Sequence, residues 1–514
     1  MLDPKYIPLF LGGFIAWMAF VIGVGFFGSR GKREGEKFLT GGSDMSLFLI
    51  FCTLGATIIG TGSSIGAIGD GFNHGWGGAI FGLGSALGLL VLTSFVSIRG
   101  KGFITMSKEA QFYYGGDARV RKLMGFMMFV IEIIWIGNHV NGGSKYLSYV
   151  LGIDPTWCKL ITVCGFGAYV FIGGYVAVVK ADVIQFCAIV GGFSFIAVKA
   201  LPLAGGYEAI SQTFAAAGKP GAMGFYGLGS YGALAALALV FSTVMGVVGT
   251  PTYRTRIYTS RDEKVARRAF LGQSGMMFLW SFITALIGMS AYAIMVRNGH
   301  TLESGDYAFS YMATHVLGPA VGLMFLICGM SATMSSGGSD AISGVTILLT
   351  DVVPSVTGRR IAEKNYTFAS RIALLVALTI AFVVTLFVGD VIAYFQKVVG
   401  SLLPGVGVTM LLGRFWRRAT WQGAYASILS GTLFGLVVLL VPPFAEWVRL
   451  TFGGPAIPST ALAAASGVAA SLFSHPSSAT DEERVAAVMA AREGIVHGKA
   501  TGCDDASASG GNVI

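Results

Sequence analysis

Charge is what this chain has least of: Asp, Glu, Lys and Arg together make up 12% of its 514 residues, about half the share of a water-soluble domain. That scarcity excludes a cytosolic enzyme and a disordered chain. Cysteine is equally sparse. The six (Cys52, Cys158, Cys164, Cys187, Cys328, Cys503) form no CxxC pair and no metal-ligand spacing, so they read as small apolar packing residues rather than as a redox or zinc device. The N-terminus, Met1 to Tyr6, lacks both the basic start and the cleavage site of a secretory signal, and the first apolar run reads as a retained span. The excess of 35 basic over 26 acidic residues gives a net charge of +9. A nucleic-acid partner would need those charges gathered on one surface; here they sit in loops between apolar runs, so no such partner is expected.

What is abundant is hydrophobic sequence, 54% of the chain, together with 74 glycines against 14 prolines. Runs long enough to cross about 30 Å of hydrocarbon fall near 7–27, 45–68, 79–98, 123–151, 156–176, 181–200, 233–250, 273–296, 317–349, 371–388, 391–412, 421–441 and 457–473. With no water at that depth to satisfy the backbone, and no period-2 alternation, each must be helical. The expectation is an all-α, multi-pass membrane protein of about 13 transmembrane helices. If the N-terminus lies outside, most Lys and Arg fall on the inner side, and the positive-inside rule puts the tail in the cytoplasm. A cell membrane, in a bacterium the inner one, is the expected location. Past Phe473, Thr480 and Glu483 form a capping-box signature for a short surface helix to Arg492, followed by a Gly/Ser/Asp-rich end that reads as disordered.

Two spans are chemically unlike the rest. The second contains Gly55-Ala56-Thr57-Ile58-Ile59-Gly60-Thr61-Gly62-Ser63-Ser64-Ile65-Gly66, and the seventh ends Thr243-Val244-Met245-Gly246-Val247-Val248-Gly249-Thr250-Pro251. Gly costs a helix about 1 kcal/mol and Pro about 3 relative to Ala. Close packing through small residues is one reading, and it accounts for Gly78/Gly82 and Gly84/Gly88 in the third span. The other comes from position: the two spans open two blocks of five, spans two to six and seven to eleven. An odd block enters the membrane in the opposite sense, as in an inverted repeat whose broken helices face a midplane site.

The ninth span adds Ser331-Ala332-Thr333-Met334-Ser335-Ser336-Gly337-Gly338-Ser339-Asp340. The Ala332 carbonyl and the two following hydroxyls share one helix side. Neutral oxygens suit a hard monovalent cation, whereas carboxylates would suit a divalent one. Serines bonding only their preceding turn are the alternative.

These residues resemble the sodium/solute symporter family, over roughly 38–423. Phe38-Leu39-Thr40-Gly41-Gly42, Gly173-Gly174-Tyr175-Val176-Ala177-Val178 with Asp182 and Gln185, Gly249-Thr250-Pro251 with Arg256, and Gly413-Arg414-Phe415-Trp416-Arg417-Arg418 stand in the family's order. The resemblance implies a LeuT-like 5+5 inverted repeat with one N-terminal and two C-terminal extra helices. It would divide the chain into an extra helix and inner loop (1–44), the first repeat (45–200), an outer loop (201–232), the second repeat (233–412), extra helices (413–473) and a cytoplasmic tail (474–514). It implies a sodium ion held by Ala56, Ile59, Ala332, Ser335 and Ser336, with Asp182 and Ser339 as a second sodium site or exit route. Members with that second site carry two further serines; here one place is Gly338. The implied activity is not enzymatic but sodium-coupled symport by alternating access.

The solute is narrowed by what the family's specialised members have and this chain lacks. Sugar transporters place a glutamate about where Gly82 stands. Proline transporters have a Trp and a Tyr at Thr243 and Val247, and sialic-acid transporters an arginine in the helix that here reads 132–141. The candidate solute-binding residues are Thr61, Ser63, Ser64, Asn138, Asn141, Thr243 and Gln396, which point to a small polar organic solute, amino-acid-like or carboxylate-like. Glu132 and Lys397 are intramembrane charges, which in membrane spans mark function or a structural partner. His139, with no ligand-type neighbour one turn beyond it, reads as a bonded interior histidine. Gly62-Ser63-Ser64-Ile65-Gly66 matches G-x-S-x-G without the strand it requires, and Gly227 to Gly232 matches G-x-G-x-x-G without a βαβ unit. A non-transporting sensor or a channel on the same scaffold is the rival reading.

Overall fold

The computed structural model describes residues 4–29, 37–359, 361–362, 365–387 and 399–493. Hydrogen-bonding side chains start several of the helices. Ser46 accepts from the Leu49 amide before α2 (Leu47–Ile58), Asp117 caps α6 (Ala118–Leu151), and Asp262 caps α10 (Glu263–Arg297). Each satisfies an amide that the first helical turn leaves unpaired. The remaining principal helices are α1 (Ile7–Gly28), α3 (Ala67–His74), α4 (Ile80–Leu92), α5 (Met106–Tyr113), α7 (Pro155–Leu203), α8 (Ala233–Gly249), α9 (Pro251–Thr259), α11 (Pro319–Ile347), α12 (Tyr366–Thr385), α13 (Gly400–Phe415), α14 (Trp421–Leu440), α15 (Pro442–Phe452), α16 (Ala456–Leu472) and α17 (Asp481–Glu493).

Among the described residues, eight helical stretches are long and apolar enough to cross a membrane, or up to ten if two bent pairs each make one span. The expected run 391–412 lies partly outside the described residues. Outer helices carry exposed Ile15, Phe48, Val198, Leu279, Phe368 and Leu433, as lipid-facing surface requires. The expected spans 156–176 and 181–200 meet inside α7 at Gly174, whose φ of 59° and ψ of −151° interrupt the helix. A Cβ there would lie 2.4 Å from the Phe38 carbonyl oxygen, so only glycine allows this turn.

Both interrupted spans are broken. After α2, Ile59 leaves the helix at φ −84° and ψ 65°; the chain resumes through a wide turn over Gly62–Gly66 into α3. Between α8 and α9, Thr250 is extended (φ −89°, ψ 123°), and Pro251 starts the next helix. The third-span glycines pack as expected: Cβ atoms on Gly82, Gly84 and Gly88 would strike Ser281, Thr243 and Val247. Thus α4 is pressed between α10 and α8 beside both breaks, while α11 packs on α6 and α7 across from them.

At one end of the bundle, α17 is closed by the expected box: the Thr480 amide donates to Glu483 at 2.7 Å and the Glu483 amide to Thr480 Oγ1 at 3.3 Å. Its Val488 is fully buried where α17 rests on α5. Glu109 of α5 accepts from Arg254 (2.9 Å), Tyr113 (2.9 Å) and Tyr258. A continuous run of contacts therefore joins the tail helix to the half-helix that follows the second break.

Candidate functional site

The first break and the serines of α11 meet. Ser335 Oγ donates to the Ala56 carbonyl at 2.8 Å. Ser336 Oγ lies 2.8 Å from the Thr57 carbonyl, 3.1 Å from that of Ala332 and 3.3 Å from that of Ala56. Ala56, Ile59, Ala332, Ser335 and Ser336 are all fully buried. Gly60 is what lets the segments touch: a Cβ there would sit 2.6 Å from His139 Cε1 and 2.7 Å from Ser336 Oγ. Carbonyls freed by the break and two hydroxyls form a neutral oxygen cluster, a donor set that fits a monovalent alkali cation. Among the described residues no three His, Cys, Asp or Glu converge as a metal cluster.

Asp182 and Ser339 come together as well, but around an arginine. The Arg256 guanidinium, fully buried, donates through Nη2 to Ser339 Oγ (2.6 Å), Thr57 Oγ1 (2.7 Å) and Thr53 Oγ1 (3.0 Å), and lies 3.5 Å from Asp182 Oδ2. Ser339 and Thr53 also donate to that carboxylate oxygen. Thus the place that the sequence suggested for a second ion holds a positive group of the chain's own, carried on α9.

Between the two breaks lies a narrow cleft with about 20 Å³ of free volume, room for about one water, so a solute enters only as the two broken helices part. Its wall includes Thr57, Gly62, Ser63, Phe81, Ser85, Trp135, His139, Thr243, Thr250, Tyr253 and Asp340. Of the residues expected to bind solute, Ser63 and Thr243 line it. Thr61 stands behind the wall, its hydroxyl 3.0 Å from His139 Nδ1. Ser64 turns back to the Gly60 carbonyl at 2.7 Å; Asn138 and Asn141 are buried on α6 and are not among the residues bordering the cleft. Gln396 and Lys397 lie outside the described residues.

Sequence reasoning missed a buried pair. His139 Nε2 is 3.1 Å from Asp340 Oδ2. A carboxylate only accepts, so Nε2 carries the hydrogen that faces it, while Nδ1 lies 3.5 Å from the Thr61 amide and 3.0 Å from its hydroxyl. Trp135 stacks on the imidazole at 6.2 Å and 17° and donates to Thr250 Oγ1 at 2.9 Å. The imidazole and indole therefore tie α6 to both breaks and to α11. The available signal was an ionisable residue in each of two membrane spans. Glu132, fully buried, accepts from Thr252 (2.7 Å) and Ser343 (2.6 Å), joining α6, α9 and α11.

A model of the sodium:solute symporter family matches residues 38–431. The chain is 23% identical over 447 residues to the sodium/pantothenate symporter of Haemophilus influenzae, covering 83% of this chain and 89% of that one. Among solved structures it superposes on a Na+-coupled sialic acid symporter in a substrate-bound outward-open state, with TM-score 0.76, 14% identity, and 92% of this chain and 99% of that one covered. It also superposes on Mhp1, a nucleobase-cation-symport-1 family transporter closed around bromovinylhydantoin, with TM-score 0.56, 13% identity, and 89% and 98% covered.

Proposed function

The chain belongs to the sodium:solute symporter family, and from that premise we propose that it couples one specific oxygen cluster to one specific cleft. Sodium is the coupled ion. It is held by the carbonyls of Ala56, Ile59 and Ala332 and the hydroxyls of Ser335 and Ser336, and a small polar organic solute occupies the adjoining cleft. The observation that carries this reading is the contact of Ser335 and Ser336 with the Ala56 and Thr57 carbonyls at the first break.

Sodium supplies a positive charge that α2 and α11 share, so its arrival favours the arrangement in which they touch. A coupling ion must bind one conformation better than the other, since equal affinity shifts nothing. With the N-terminus outside and the tail in the cytoplasm, each inward charge gains about 2.3 kcal/mol per 100 mV. Sugars, proline and sialic acid are disfavoured by the absent glutamate, tryptophan and arginine. Asp182 and Ser339, engaged by Arg256, serve as an exit route that opens when α9 swings away.

The test is a sodium titration of thermal stability on purified protein, with Ser336→Ala beside the unaltered chain. Sodium-dependent stabilisation is expected in the latter and lost in the former; an equal sodium response in both removes the ion site. In proteoliposomes, solute accumulation that requires an inward sodium gradient is expected, and gradient-independent conductance would overturn symport.

A further inference from the structure

The hydrogens of the serine and threonine hydroxyls on the cleft wall are already committed to the protein, that of Thr57 to the Thr53 carbonyl at 2.7 Å. Ser63 Oγ donates to the Ile58 carbonyl at 2.7 Å, Ser85 Oγ to that of Phe81 at 3.1 Å, Thr243 Oγ1 to that of Leu239 at 2.8 Å and Thr250 Oγ1 to that of Gly246 at 2.6 Å. A hydroxyl has one hydrogen and two lone pairs. What these side chains have left for an occupant is lone pairs. The His139 Nε2 hydrogen faces Asp340 Oδ2, leaving Oδ1 as a second carboxylate acceptor. Among the described lining residues, Asp340 and His139 alone are ionisable at neutral pH, and the imidazole already lies against the carboxylate. Trp135, Phe81 and Tyr253 add aromatic faces to the same wall.

An acceptor-rich wall with a buried carboxylate and aromatic faces binds cations with N–H groups. We propose that the solute of this transporter bears a protonated amine or amidine-type nitrogen, donated to Asp340 and seated against Trp135 and Tyr253. The inference rests on the cleft being the solute site and goes beyond it by naming the charge that the site recognises. The inference fixes the charge at one end of the solute and leaves the other end open. A solute with a carboxylate and no nitrogen is not compatible.

Three probes of one chain length separate the cases: propylamine, β-alanine and propionate. Each is titrated against thermal stability in saturating sodium and, in parallel, against a sodium-only baseline. Stabilisation by propylamine and β-alanine but not propionate is expected. Asp340→Asn should weaken that response about tenfold or more, the usual scale for losing a charge-assisted hydrogen bond, and Asp340→Glu should restore part of it. Propionate matching propylamine, no response to any of the three, or an Asp340→Asn response equal to that of the unaltered chain overturns the inference. The baseline keeps the two readings apart: an absent sodium response sinks the ion site, whereas an intact one with the wrong probe preference sinks only the nitrogen. If Asp340→Asn does not fold, the three-probe ranking on the unaltered protein decides alone.

Discussion

Replacing Gly60 by alanine asks whether the close approach of α2 and α11 matters to the ion. The new methyl would start 2.6 Å from His139 Cε1 and 2.7 Å from Ser336 Oγ, both well inside contact distance, so one neighbour must move. Overpacking a tight interior costs about 1–3 kcal/mol. In the proposed site Ser336 Oγ and the Ala56 carbonyl hold the ion together, so that strain would fall chiefly on the ion-bound form. At about 1.4 kcal/mol per decade, the sodium half-saturation should rise roughly five- to a hundredfold. Gly246→Ala is the control: its Cβ would come no nearer than 3.7 Å to Val399, an ordinary contact, and sodium binding should change little. The assay is equilibrium binding of radiolabelled sodium to purified protein. Equal half-saturation in Gly60→Ala and Gly246→Ala would refute the argument that this contact builds the site.

Three other perturbations test neighbouring parts. Arg256→Gln leaves Asp182 buried without its cation and should cost about 3–5 kcal/mol, read as a fall in melting temperature; adding Asp182→Asn should recover part of the loss, and strictly additive losses would show that the pair is not coupled. Trp135→Phe removes the 2.9 Å donor to Thr250 while keeping the ring on His139, and should cost about 1 kcal/mol in a chemical-denaturation midpoint. Val488→Asp buries a charge under α17 and should release that helix, so limited proteolysis should cleave between 474 and 481 faster than in the unaltered chain; unchanged cleavage rates would refute the docking.

How much of this could be read from the chain follows from where each signal sits. The breaks were legible because glycine, hydroxyl and proline at membrane depth are locally costly, so Gly60 and Pro251 announce themselves within a few residues. The serine pair was legible because 332, 335 and 336 share a helix face. His139 reads as a bonded interior histidine and is one, but its partner could not be named for a physical reason: its neighbours one turn away are inert, and Asp340 comes from another helix. Arg256 was seen only as part of a motif, since its partner Asp182 stands 74 positions away and nothing local says that α9 folds back over α2. Tertiary pairing of buried charge leaves no period in a sequence.

The guanidinium lodged beside Asp182 has an electrical consequence. It is bonded to the chain, so it neither enters with the medium nor departs into it, and over a full cycle it returns to where it began. Whatever current the transporter carries at steady state therefore counts only the freely moving ions and the charge on the solute, and a nitrogen-bearing cation would add its own unit to that of sodium.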